Sequence, residues 1–286
     1  MAELKSAIGL INSLNGISLS EIGAVSELKI HPVCRAALTA AMLNNLSASL
    51  KQYPWELLGV SEPEKVRTSF TVSIDRPEKM AAEIRESRCP IIKIKMGFAE
   101  DEELIPLLKN MPARTYRIDA NGGWTLEKAE RMLSLLDRLG VEIVEQPTGP
   151  EHIREWRHLR GKAKTEIYID EGLNNINDYF THADYVDGIN IKMAKCGGAL
   201  EAKRMALQAR NDGIRVMLGC MVESSIGIAP AVYLSSLADY CDLDGPLLLE
   251  KDIATGLDYE NGIISVAENI IGGPRLKSEF RNEESK

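Results

Sequence analysis

Pro90-Ile91-Ile92-Lys93-Ile94-Lys95-Met96-Gly97 is an apolar run carrying two lysines two residues apart. Successive side chains of a β-strand point to opposite faces, so Lys93 and Lys95 share one. Taken alone, such a run is a strand with a wet, basic face. The charges further along the chain change that reading. Asp119, Glu145, Asp170 and Lys192 each end a later strand-like run, at successive steps of 24, 26, 25 and 22 residues counted from Lys95. A charged residue at the end of every strand, one helix-containing unit apart, is a layout with a mechanism.

On the N-terminal side of this run, residues 68–74 alternate with period two and read as a strand. Further strand-like runs cover 91–95, 115–119, 141–145, 166–170, 188–192 and 214–218. Helical stretches separate them at 77–87, 100–109, 125–139, 151–159, 175–181 and 199–210, with a last one at 226–237. Thr125 suits an N-cap and Gly140 a C-cap. Strands alternating with helices argue an α/β fold with a parallel sheet. The expected architecture is a TIM-like (β/α)7β barrel, because strand C-termini bearing polar groups converge on one site in a barrel. An open doubly wound sheet, the competitor, would spread them along an edge. Before the barrel, residues 1–60 read as helical. Leu4, Ala7, Ile8 and Ile11 recur at helical spacing, and His31-Pro32 opens a second helix. A short hairpin is expected around Glu260-Asn261-Gly262, and a frayed tail at 278–286.

Composition excludes several classes of function. The net charge is −8 with no clustered Lys/Arg stripe, which argues against nucleic acid as a partner. No apolar run is long enough to span a bilayer. Five cysteines without a Cys-x-x-Cys pair read as reduced thiols in a cytoplasmic protein. The four histidines show no metal-ligand spacing.

Asp119, Glu145 and Asp170 would stand on neighbouring strands about 4.8 Å apart. Three acids so placed repel one another unless a cation sits between them, and oxygen-only ligands of this charge suit Mg²⁺. The alternative is that each caps the helix after it. In a closed barrel the second and sixth strands face each other across the mouth, so Lys95 and Lys192 would approach a substrate from opposite sides. Lys93 adds a like charge beside Lys95 that can tune it as a base. For Lys192 a salt bridge to a neighbouring acid is the plainer reading. Glu223, beyond the seventh strand, is placed at the pocket wall. Lys195 is read as supporting, Glu171 as a partner for a lysine, and Gly197-Gly198 as a tight turn or an anion site at a helix start.

Lys-x-Lys, Asp-Ala-Asn, Glu-Gln-Pro, Asp-Glu and Asn-Ile-Lys-x-x-Lys-x-Gly-Gly, in this order, resemble the muconate-lactonizing subgroup of the enolase superfamily, and within it the dipeptide epimerases. The resemblance runs from about residue 68 to 273. It implies Mg²⁺ ligands at Asp119, Glu145 and Asp170, and acid/base lysines at Lys95 and Lys192. These would exchange the α-proton of an L,L-dipeptide such as Ala-Glu through an enediolate. Enolase-superfamily sites of this type, with a Lys base and Mg²⁺, are an established pattern. Asp242-Leu243-Asp244 stands where epimerases hold the substrate's ammonium, and Lys93 and Glu223 complete the expected substrate pocket. The implied organisation is a helical remnant of a capping domain at 1–67, the barrel at 68–249, and a C-terminal segment at 250–286 packing back on the cap. The capping sheet and lid loop of the family have no counterpart, which leaves apolar helix surface suited to a homo-oligomer interface. Two alternatives stay open. One is a metal-binding barrel impaired in catalysis for want of its lid. The other is another reaction of the subgroup, cycloisomerisation or o-succinylbenzoate synthesis.

Overall fold

The computed structural model of the chain describes residues 17–280. The N-terminal helical spacing at Leu4 to Ile11 and the last residues of the frayed tail lie outside them. The chain forms two compact units. One is Thr68–Asn190 with Ala209–Met217, and the other is residues up to 67 with Ile191–Gln208 and residues from 218 onward.

After α1 (Leu19–Ser26), α2 (Pro32–Leu50), α3 (Pro54–Leu58) and a two-residue strand β1 (Val66–Arg67), eight strands follow. They are β2 (Phe70–Val72), β3 (Ile91–Lys95), β4 (Thr115–Asp119), β5 (Ile143–Glu145), β6 (Glu166–Ile169), β7 (Gly188–Lys192), β8 (Arg215–Gly219) and β9 (Tyr240–Asp242). They make one sheet in chain order, β2-β3-β4-β5-β6-β7-β8-β9. The pairs from β2 to β7 are parallel. Eight strands in sequence order joined by helices are the TIM-like barrel expected from the periodicity. The ladder is tightly specified, because every residue of β5 and β7 is buried, as befits parallel strands covered on both faces.

Within the first unit, α4 (Pro77–Glu86), α5 (Asp101–Leu108), α6 (Leu126–Arg138) and α7 (Ile176–His182) alternate with the strands. Helix α6 shows how the sequence builds them. Ala129, Met132, Leu133 and Leu136 recur at i, i+3, i+4 and i+7 and are all buried. Burial of each larger side chain contributes about 1.5–3 kcal/mol. The Thr125 hydroxyl accepts from the Lys128 N–H at 3.2 Å, and Gly140 turns the chain out with φ of 71°.

The segment expected as a helix at 151–159 is instead a 3-10 turn, Pro150–His158. Its apolar residues explain why. Ile153, Trp156 and Leu159, all buried, recur every three residues, and a three-residue turn stacks them on one side. Trp156 is pinned there by its indole N–H, which donates to Thr148 Oγ1 at 2.8 Å. The strand expected at 68–74 narrows to β2, three residues long.

In the second unit, α8 (Met193–Cys196), α9 (Ala199–Asn211) and α10 (Ser225–Tyr233) precede four short strands, β10 (Ala254–Thr255), β11 (Leu257–Glu260), β12 (Ile263–Val266) and β13 (Arg275–Leu276). The hairpin of β11 and β12 turns on Asn261 and Gly262, both with positive φ, as the Asn-Gly pair requires. Strand β1, not legible in the sequence, pairs with β12. The C-terminal segment also meets the helices directly. The Gly272 N–H donates to Ser47 Oγ at 3.0 Å, and the Tyr53 hydroxyl to the Glu268 carbonyl at 3.3 Å. Among the described residues, no helix is long and apolar enough to cross a membrane.

Gly188 on β7 lies against Tyr168 of β6, and a Cβ there would stand 2.1 Å from the buried ring. Gly188→Ala is expected to cost about 3 kcal/mol through overpacking, read as a lowered midpoint in urea unfolding.

Candidate functional site

In the first unit the ladder register sets Lys95 beside Asp119 and Asp119 beside Glu145. Partners across a parallel ladder point to the same face, so the three side chains form a row. Lys93, two residues before Lys95, joins that face one step lower. Its ammonium lies 3.0 Å from Asp119 Oδ2 and 2.8 Å from Glu145 Oε2. Lys95 Nζ lies 3.1 Å from Asp119 Oδ2 and donates to Asn121 Oδ1, also at 3.1 Å. The lysines differ in access. The Lys93 side chain is 5% exposed and the Lys95 side chain 33%, while Asp119 and Glu145 are buried.

Lys93 was expected to line the substrate pocket and to act on Lys95 by repulsion. It is buried and paired with the two carboxylates that it bridges. Burying two acids without such a cation would cost several kcal/mol per ion.

Asp170 follows β6. Its N–H donates to Gln146 Oε1 at 3.0 Å, and the Gly172 N–H reaches the same oxygen at 3.4 Å. The Gln146 amide donates in turn to the Thr148 carbonyl at 2.9 Å. Gln146 therefore fixes the loop that presents Asp170. Asn190 of β7 donates from Nδ2 to Glu145 Oε1 at 2.7 Å, while its own Oδ1 is buried without a hydrogen-bond partner. Glu171 accepts from Asn121 Nδ2 at 3.2 Å, so an amide takes the place of the expected lysine. Asn121 and Gln146 both have left-handed backbones, with φ of 45° and 41°.

Asp119, Glu145 and Asp170 offer only oxygen donors at the ends of three successive strands, a set that fits a hard dication. The orphaned Asn190 Oδ1 beside Glu145 adds a polar group suited to a hydrated ion. As they stand, the carboxylates of Asp119 and Glu145 close on Lys93. Among the described residues no three Asp, Glu, His or Cys side chains are gathered into a metal-binding group.

The second unit carries the remaining candidates. Lys192 ends β7 and is buried. Glu223 lies close enough to feel its charge. Burial pushes the Glu223 carboxyl above its usual range, against the pull of the Met221 N–H, which donates to Oε1 at 3.2 Å, and of Lys192. A side chain at Gly227 would collide with Glu223, so the start of α10 leaves room for the acid. Asp242 ends β9, and Asp244 precedes a 3-10 turn at Gly245–Leu248; both are buried. Their field is visible at Cys220, whose thiol is raised first by burial and then by Asp242 and Asp244. The Tyr259 hydroxyl donates to the Leu243 carbonyl at 3.1 Å and so props the Asp-x-Asp turn from the C-terminal hairpin. The Gly197-Gly198 pair is a close-packed turn, since side chains there would strike Arg35 and Thr39 of α2.

Asn190 and Gln146 enter the sequence reading only as members of quoted motifs, without a role, and Tyr259 does not enter it. Asn190 carried a usable signal, for it shares the face of Lys192 at i, i+2 in Asn190-Ile191-Lys192. The others act through loop geometry that no spacing encodes.

Residues 77–270 match the family described as Enolase C-terminal domain-like. The L-Ala-D/L-amino acid epimerase of Flavobacterium johnsoniae is 35% identical over 83% of this chain and 72% of its own length. The hydrophobic dipeptide epimerase of a Flavobacteria bacterium is 33% identical over 95% of this chain and 81% of its own. The crystal structure of a dipeptide epimerase from Cytophaga hutchinsonii, complexed with Mg and the dipeptide D-Ala-L-Val, superimposes with a TM-score of 0.83 at 27% identity, covering 88% of this chain and 73% of that one.

Lys93→Met removes the cation from two buried acids and is expected to destabilise the fold by about 3–5 kcal/mol. Lys95→Met, at a part-exposed pair, should cost no more than about 1 kcal/mol. Urea unfolding of the two variants side by side checks the difference.

Proposed function

The chain belongs to the Enolase C-terminal domain-like family, and within it we propose an isomerase that inverts the α-carbon of an L,L-dipeptide, of the Ala-Glu or hydrophobic type. The observation that carries this reading is Lys95. It is the one ammonium of the carboxylate row with substantial exposure, and it is held in place by Asp119 and Asn121. A lysine fixed by polar partners yet open to a ligand is equipped to move a proton to and from carbon. The epimerase names of the relatives support the same class of reaction.

In this proposal Lys95, as the neutral amine, takes the α-proton from one face of the substrate. Lys192, at the end of the sixth barrel strand as Lys95 ends the second, returns a proton to the other. The electron pair of the broken C–H bond moves onto the substrate carboxyl group, giving an enediolate. Asp119, Glu145 and Asp170 would hold Mg²⁺, which supplies positive charge against the developing negative charge. Lys93 keeps Asp119 and Glu145 together. Asp242 and Asp244 hold the substrate's free ammonium, for which buried fixed negative charge is the required complement. Glu223 lines the same pocket. The two aspartates favour an aminated substrate over the other reactions of the subgroup, whose substrates carry no ammonium to pair. Domain roles follow the same reading: 68–249 is the catalytic barrel, 1–67 the helical part of a cap, and 250–286 the segment that braces it.

The test is α-proton exchange of L-Ala-L-Glu and hydrophobic dipeptides in D₂O with Mg²⁺, followed by mass spectrometry. Lys95→Ala and Lys192→Ala should each abolish inversion, with each retaining exchange from one epimer only. Replacing Asp242 and Asp244 together with Asn should lower kcat/KM by at least about 100-fold, as expected when a buried charge loses its partner. Chelation by EDTA should stop exchange and lower the melting temperature. Absence of exchange with every dipeptide would overturn the proposal, and Mg²⁺-dependent stabilisation without exchange would mark a non-catalytic barrel.

A further inference from the structure

Asp101, the first residue of α5, is fully buried although it is an acid. Its carboxylate gathers donors from three separate segments. From the loop after β3, the Gly97 N–H donates to Oδ1 and Oδ2 at 3.2 and 3.1 Å, and the Phe98 N–H to Oδ1 at 3.3 Å. From the loop after β4, the Trp124 indole N–H donates to Oδ2 at 2.5 Å. From α6, Lys128 Nζ lies 3.1 Å from Oδ2 and also donates to the Phe98 carbonyl at 2.9 Å.

The two loops are in backbone contact at the same place. A Cβ on Gly97 would stand 2.2 Å from the Ala120 carbonyl oxygen, and one on Gly123 2.4 Å from the Gly97 oxygen. The first loop leaves Lys95 two residues before Gly97, and the second carries Asp119 and Asn121, the two partners of the Lys95 ammonium. A part-exposed lysine has little packing to hold it. Its position is therefore set by the backbone it hangs from and by those two partners, and Asp101 ties both together.

We propose that Asp101 is a positioning residue for Lys95, clamping the β3 and β4 loops so that the ammonium stays on Asp119 and Asn121. This rests on the reading of Lys95 as one of two proton-transfer lysines, and it goes beyond that reading by making one face of the reaction depend on a buried acid remote from substrate. A buried carboxylate engaged by four donor groups cannot be replaced by its neutral isostere without loss, because an amide turns one acceptor oxygen into a donor facing N–H groups.

The experiment uses Asp101→Asn in the full chain with two readouts. In the first, α-proton exchange is measured separately from each epimer of the dipeptide. The epimer whose exchange disappears in Lys95→Ala defines the Lys95 face. Asp101→Asn should slow exchange from that epimer by about 10- to 100-fold, the scale of a displacement near 1 Å, and leave exchange from the other within about twofold. The second readout needs no turnover. Acylation of lysines by an N-hydroxysuccinimide ester, quantified by peptide mass spectrometry, should change at Lys95 by several-fold and stay constant at Lys192. Equal slowing on both faces with unchanged Lys95 labelling would make Asp101 a purely structural residue and overturn the proposal. If the unsubstituted protein exchanges no dipeptide, the epimerase reading falls, while the labelling ratio still decides whether Asp101 positions Lys95.

Discussion

The ammonium of Lys93, set between the carboxylates of Asp119 and Glu145, is the interaction on which the barrel end depends. Neighbouring parallel strands bring those two acids together, because the register makes them partners. Two buried like charges at that spacing oppose the pairing of the strands that carry them. The cation reverses the sign of the contact, and the same strands are then drawn together. Lys95 and Asn190 attach to this core from either side, one on Asp119 and the other on Glu145. The row of charges is a load carried by the ladder and also a clasp that holds it in register.

Asp242, Asp244 and Glu223 set a different electrostatic character in the second unit. There Asp242 and Asp244 are buried, and the effect of the acids is felt by neighbouring groups. Burial raises the pKa of both Cys220 and Tyr259; Asp242 and Asp244 add to it at Cys220, and Cys220 and Asp252 add to it at Tyr259. Buried negative charge of this kind favours groups that bring positive charge and disfavours anions without a compensating amine.

The order of strands and helices in the barrel was legible, because a 25-residue repeat of apolar runs ending in charge has few physical solutions. Lys95, Asp119 and Glu145 fall in one row for the reason their spacing implies: each ends its strand. Asp170 and Lys192 were picked out the same way. Lys93 was identified, but its neighbours were not. Sequence shows that it shares a face with Lys95, yet only the inter-strand register shows that two acids reach it first. The 3-10 turn at Pro150–His158 had its signal in the three-residue recurrence of Ile153, Trp156 and Leu159, which a window tuned to 3.6 residues reads as a poor α-helix. The roles of Asp101 and of Gln146, the middle residue of the Glu-Gln-Pro motif, were not legible for a deeper reason. Each works by collecting backbone N–H groups from loops, and where those groups point is a property of the folded chain alone.

Four non-glycine residues among those described adopt a left-handed backbone, and two of them, Asn121 and Gln146, come within two residues of the strand-end acids Asp119 and Glu145. Such conformations raise the energy of the native state and persist only where surrounding contacts over-determine them. Here the contacts are the side chains' own, to Lys95 and Glu171 for Asn121, and to Asp170, Gly172 and Thr148 for Gln146. Glycine at either position would relax the backbone and release the groups it organises. Left-handed turns and poorly solvated charges thus lie within two residues of one another, so a tougher fold and an ordered site pull these positions in opposite directions.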